Sequence, residues 1–289
     1  MKMGIKIAKM QGCGNDFVIL EYAEYKKGLD NKKWKNMSEA AKKLCNRNFG
    51  VGADGLIIPN LNTEDTDIGW FFYNSDGSTA QMCGNGMRCF AKYAVDKKLV
   101  KKKEFTVKTL AGIIKPKVLK DGTVRVNMSK PILEPAEIPF IPNSNLNYKI
   151  SVENRIFEGN AVSMGNPHFI IFIKDDEDLL ELAKKYGPEI EIAAEFPEKT
   201  NVEFVRIRSY KKLDLRVWER GCGITLACGT GACAAVVAGI LNGYIENSVD
   251  VYLLGGMVHI DWDGSKDNPD CDVYLTGPVN YSFDADLLL

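Results

Sequence analysis

Cys83-Gly84-Asn85-Gly86 and Cys228-Gly229-Thr230-Gly231 are two versions of one phrase, and the sequence around them repeats as well. Upstream, Gly14-Asn15-Asp16-Phe17-Val18-Ile19 returns as Gly165-Asn166-Pro167-His168-Phe169-Ile170. Shortly before each cysteine an apolar, strand-like run ends, Trp70 to Asn74 in one copy and Leu215 to Glu219 in the other. After each cysteine comes a helical segment, Met87 to Asp96 and then Ala232 to Asn242. A strand meander follows in both, marked by Ala111-Gly112, Asp121-Gly122 and Pro131, then by Gly255-Gly256, Asp263-Gly264 and Pro278. Alternating residues with Asp-Gly punctuation read as antiparallel hairpins. Landmarks repeated in one order mark an internal duplication.

Each copy therefore predicts strands, one central helix entered at a cysteine, and more strands. The fold class is α+β: two pseudosymmetric repeat domains, each a curved, mostly antiparallel sheet around a central helix. The expected active site lies in the interdomain cleft, where small-molecule sites concentrate. The Pro- and Asn-rich stretch from Ser129 to Asn147 is the expected linker.

Composition narrows the function classes. A chain of 289 residues, 45% hydrophobic and 26% charged, suits two soluble globular domains. A net charge of −1 gives no case for nucleic acid or an anionic membrane. No run approaches the ~18 uninterrupted apolar residues of a membrane span. The N-terminal stretch lacks a signal-peptide apolar block, so a cytoplasmic location is expected. Eight cysteines in a reducing compartment do not read as a disulfide framework. With no Cys-x-x-Cys pair and only two histidines, His168 and His259, no metal site is expected. Gly50-Val51-Gly52-Ala53-Asp54-Gly55 matches the dinucleotide fingerprint in letters only, because it precedes a strand-like run rather than a helix.

A cysteine at a helix N-terminus sits among unpaired backbone N–H groups and the positive end of the helix dipole. Both favour the thiolate. Flanking glycines let the same N–H groups approach a ligand carboxylate. Two such cradles suit inversion of a stereocentre, which needs a base on one face of a carbon and an acid on the other. A lone Cys-Gly pair is usually a small buried hydrophobe; two repeat-related ones argue for function. His168 follows a repeat landmark and is a candidate site residue, whereas His259 reads as a strand residue.

These motifs resemble diaminopimelate epimerase. The resemblance runs through Gly14-Asn15-Asp16-Phe17, Asn74-Ser75-Asp76-Gly77-Ser78, Cys83-Gly84-Asn85-Gly86-Met87-Arg88-Cys89, Gly165-Asn166-Pro167-His168 and Asn201-Val202. It ends with Glu219-Arg220-Gly221 and Ala227-Cys228-Gly229-Thr230-Gly231. It implies an epimerase that interconverts LL- and meso-diaminopimelate without PLP or any other cofactor, in lysine and peptidoglycan precursor synthesis. Cys83 and Cys228 would be the catalytic pair, assisted by His168 and Glu219. Asn15, Asn74, Asn166, Asn201, Glu219 and Arg220 would hold the substrate, and Gly84-Asn85 with Gly229-Thr230 its reacting carboxylate. The resemblance further implies domains of residues 1–128 with 273–289, and of residues 129–272. Its partner would be a small amino-acid substrate, and a homodimer is a possible assembly. Three positions depart from the family pattern: Gly55 for a glutamine, Ile224 for a glutamate and Phe283 for a tyrosine. The rival readings are a two-cysteine racemase of another amino acid, such as histidine, and a non-catalytic binding protein for a dibasic amino acid.

Overall fold

The computed structural model describes residues 4–79, 82–174 and 176–288. The chain divides into two compact units, Met1–Val126 with Gly277–Leu289, and Asn127–Thr276. The sequence reading placed these joins at 128/129 and 272/273.

In the first unit the strands lie in the order Asn280–Leu287, Ile5–Gly12, Asn15–Ile19, Gly55–Asn60, Ile68–Asn74, Val107–Thr109 and Gly112–Ile114. Most neighbours are antiparallel, but Asn15–Ile19 runs parallel to Gly55–Asn60, and Ile68–Asn74 to Val107–Thr109. A parallel pair cannot be closed by a tight turn and needs a crossover, usually helical. The first crossover carries α1 (Tyr22–Asp30) and α2 (Met37–Cys45), and the second carries α3 (Gly84–Asp96). Asn36 starts α2 by accepting from the Glu39 N–H.

The second unit repeats this plan. The main strands of its sheet run Val273–Gly277, Gly256–Trp262, Ser248–Leu253, Lys212–Glu219, Asn201–Ser209, Pro167–Phe172, Arg155–Ser163 and Tyr148–Val152. The short strand Gly223–Ile224 lies beside Lys212–Glu219, and the strands Val124–Asn127 and Lys117–Val118 continue the sheet past Val273–Gly277. The parallel pairs are Pro167–Phe172 with Asn201–Ser209 and Lys212–Glu219 with Ser248–Leu253. Helix α4 (Leu179–Glu191) makes the first crossover and α5 (Gly229–Leu241) the second. Asp178 caps α4 by accepting from the N–H groups of Leu180 and Glu181.

Each unit thus holds more helix than the single central one expected. The added helices cover the far face of the sheet. In the second unit Phe169, Ile171, Val202 and Phe204 join Leu182, Ala183, Tyr186 and Ile190 of α4 in one core cluster. Side chains alternate along a strand, so His168, Glu203 and Glu219 point to the opposite face, toward α5. In the first unit Val18, Leu20, Leu56 and Ile58 pack with Ala40, Ala41 and Leu44 of α2. That leaves Asn15, Phe17, Phe72 and Asn74 on the face of α3.

The stretch from Ser129 to Asn147 is not a free linker. Ile138 and Phe140 are buried in the core of the second unit, where Phe140 stacks on Phe196 at a centroid distance of 5.0 Å. Apolar residues between the prolines, unremarkable in composition, anchor the segment.

Candidate active site

Both repeated cysteines occupy the same structural position. Cys83 is the N-cap of α3 and Cys228 the N-cap of α5, each with extended backbone angles. In the first unit the Gly86 N–H donates to Cys83 Sγ at 3.4 Å, and in the second the Gly231 N–H donates to Cys228 Sγ at 3.3 Å. The sulfur of each thus takes the part that a serine or aspartate oxygen plays at an ordinary N-cap.

Around Cys83 the first unit gathers its asparagines. The Cys83 thiol points to Asn15 Oδ1 at 3.7 Å, and Asn85 Nδ2 donates to the same oxygen at 3.1 Å. Asn15 in turn donates to Asp54 Oδ2 at 2.6 Å, which fixes its amide orientation. Asn74 ends the strand facing α3, and its Nδ2 donates to Ser78 Oγ at 3.0 Å. Gly55 pairs with Asn74 across the sheet. A Cβ at Gly55 would lie 2.7 Å from the Phe72 ring and 2.9 Å from the Tyr73 carbonyl oxygen. The aromatic ring fills the space a longer residue would need. Arg88, on the helix that Cys83 caps, is fully buried, with Nη2 3.9 Å from Cys13 Sγ.

The second unit gathers acids around Cys228. One ring nitrogen of His168, one carboxylate oxygen of Glu203 and Cys228 Sγ lie within 4.8 Å of one another, all three residues buried. His168 Nδ1 is 2.6 Å from Glu203 Oε1, and Nε2 is 3.1 Å from Asn166 Oδ1. A metal could use this trio only by displacing one of those contacts, since both ring nitrogens are engaged. Thr230 Oγ1 lies 3.5 Å from Cys228 Sγ. The Thr225 hydroxyl donates to Glu219 Oε1, and burial pushes the Glu219 carboxyl above the usual range. Asn201 Nδ2 donates to the Pro167 carbonyl at 2.8 Å, and its Oδ1 accepts the Arg220 N–H at 3.0 Å. Arg220 Nη1 donates to the Glu198 carbonyl at 2.9 Å.

Helix position alone suggested a thiol with a lowered pKa, and Cys228 departs from that. Its pKa is raised well above 9.0, first by burial, then by the carboxylates of Glu219 and Glu203. The Thr230 and Gly231 hydrogen bonds act in the lowering direction but do not offset these. Glu203 was missed by the sequence reading. Its signal was available: an acid at an interior position of the strand Asn201–Ser209, flanked by Val202, Phe204 and Val205. His259, by contrast, sits outside this cluster and pairs with Asp250 at 2.7 Å.

The two-unit α+β architecture, each half opening a crossover helix at a cysteine, belongs to the proline racemase and PhzF-like class of folds. A hydroxyproline epimerase from Agrobacterium vitis superposes over 99% of this chain and 92% of its own, with a TM-score of 0.68 at 11% identity. A PhzF-family phenazine biosynthesis protein from Bacillus anthracis gives 0.67 at 16% identity, with both chains fully covered. The diaminopimelate epimerase family profile matches residues 7–134 and 160–282. The diaminopimelate epimerase of Carboxydothermus hydrogenoformans is 48% identical over 99% of this chain and 100% of its own. That of Desulfitobacterium hafniense is 44% identical over 98% of each. The chain belongs to the diaminopimelate epimerase family, a family of isomerases.

Proposed function

We propose that the protein interconverts LL- and meso-diaminopimelate without PLP, using Cys83 and Cys228 as a base and acid that exchange roles with direction. The observation that carries the reading is the repeated N-cap cysteine, each bonded by the N–H of the second glycine in its motif. Inversion requires one sulfur to remove the α-proton and another to return a proton to the opposite face. Negative charge developing on the substrate carboxylate is stabilised by backbone N–H groups at Gly84-Asn85 and Gly229-Thr230, the first residues of α3 and α5. His168 and Glu219 assist the two cysteines.

Asn15, Asn74, Asn166, Asn201 and Arg220 hold the substrate, Arg220 through a fork to the distal carboxylate. The Asn201 bond to the Arg220 backbone supports this, because it ties the two residues into one rigid patch. The setting is cytoplasmic, in lysine and peptidoglycan precursor synthesis. A homodimer fits the edge strand Asn280–Leu287, which exposes Tyr281 and Phe283.

The test compares kcat/KM for diaminopimelate, lysine and histidine in the wild type and in Arg220→Lys. Lysine keeps the charge at position 220 but loses the fork. Leaving buried polar groups unpaired should lower diaminopimelate turnover roughly 30- to 1000-fold. Free lysine lacks the distal carboxylate and should be a poor substrate. A wild type that prefers histidine, or an Arg220→Lys enzyme with undiminished turnover, contradicts the assignment.

A further inference from the structure

We propose that Glu203 is a positioning residue for the reaction at Cys228: its carboxylate fixes the orientation and charge of the His168 ring. Both side chains are fully buried. They project from neighbouring parallel strands toward α5, where Ile170 is the direct partner of Glu203 and Asn201 that of His168. The His168–Glu203 contact therefore runs diagonally across the ladder on that face.

At 2.6 Å the contact has the length of a charge-assisted bond. With Glu203 ionised, Nδ1–H donates to its Oε1. The other nitrogen faces a second acceptor, Asn166 Oδ1. Two acceptors on one imidazole select its doubly protonated form. The resulting imidazolium also answers a cost: an unpaired carboxylate at zero exposure would be strongly destabilising. Glu203 Oε2 has no hydrogen-bond partner among the described residues, so His168 is its main compensation. The second glycine of the motif keeps the seat open. A Cβ at Gly231 would stand 2.6 Å from Glu203 Oε1 and 3.2 Å from Cys228 Sγ.

The consequence concerns Cys228. Its thiol faces the carboxylates of Glu219 and Glu203, so a thiolate formed there meets like charge on both sides. The imidazolium held by Glu203 is the opposing charge. The pair keeps both its protons on His168 throughout, while Cys228 alone gives up or takes the substrate proton.

The kinetic arm of the test rests on the epimerase reading; the spectroscopic arm needs no substrate. With only two histidines in the chain, ¹⁵N-histidine labelling gives one ring spectrum for His168 and one for His259, assigned with a His259→Gln variant. In the wild type the His168 ring is expected to carry its proton on Nδ1 near neutral pH, with a low-field Nδ1–H signal from the short bond to Glu203. In Glu203→Gln the charge-assisted bond is lost, and that low-field signal should vanish. Glu219, Cys228 and Glu203 are the titratable groups facing the ring, and of these only Glu203 is changed. The same variant should lose about 10- to 100-fold in kcat in both directions, with KM altered by less than about threefold. A wild-type ring bare at Nδ1 near neutral pH overturns the proposal, even where Glu203→Gln fails to fold. So does a folded Glu203→Gln enzyme with unchanged kcat and pH profile. A wild type with the paired ring but no diaminopimelate turnover refutes the epimerase reading instead.

Discussion

Cys83 and Cys228 share a motif and a capping role but not an environment. Cys83 points its thiol to the Asn15 amide oxygen, whereas Cys228 is enclosed by Glu219, Glu203 and His168. The sequence made the shared part legible, because residue type and spacing carry it. The difference was not legible, because burial and the facing carboxylates come from strands distant in sequence. This environment sets a pH dependence. A thiol raised above 9.0 stays protonated at neutral pH, and its thiolate fraction climbs as pH rises toward that higher value. In the substrate-free protein, iodoacetamide labelling of Cys228, followed by peptide mass mapping, should therefore accelerate about tenfold per pH unit from pH 7 to about 9 without levelling. Levelling near pH 8 would mean that the helix terminus outweighs burial. Cys45 and Cys89, pushed up to about 12 by burial, should stay nearly unlabelled over the same range.

Among the elements, the two crossover helices were the most readable and the outer helices the least. Cys-Gly-x-Gly followed by an apolar stretch announced α3 and α5, and their starts fall at Gly84 and Gly229. Helix α4 was hidden although Leu179, Leu182, Ala183, Tyr186 and Ile190 have helical spacing, because Gly187 and Pro188 interrupt its pattern. Gly187 is needed there: a Cβ would stand 2.5 Å from Trp218. The motif glycines also differ in purpose. A Cβ at Gly86 would make ordinary contact with Phe17 at 3.4 Å, while one at Gly231 would collide with Glu203. Gly231→Ala should accordingly improve helix propensity by up to about 1 kcal/mol. Even so, it should lower kcat about tenfold or more by displacing the carboxylate from His168. Thermal unfolding and steady-state rates measured on one preparation check both halves. Undiminished kcat would show that Glu203 can move at no cost to the reaction.

At the scale of the whole molecule, duplication explains both what was readable and what was not. Repeated landmarks revealed two α+β units, and mostly antiparallel pairing followed from the Asp-Gly turns. The parallel pairs were invisible, since a crossover leaves no local turn signature. Duplication also accounts for the chemistry proposed, for it supplies two thiols where a single unit supplies one. None of the described helices is long and apolar enough to cross a membrane. The central claim, a cofactor-free exchange of protons by two cysteines, is met most directly by solvent isotope exchange. LL-diaminopimelate is incubated in D₂O with the purified protein and no added cofactor, and α-deuterium and the meso isomer are measured together. The wild type and Cys45→Ala should both incorporate solvent deuterium as they form the meso isomer, while Cys83→Ala and Cys228→Ala should form none. Meso isomer produced by either of those last two variants, or a wild type that needs PLP, would contradict the account.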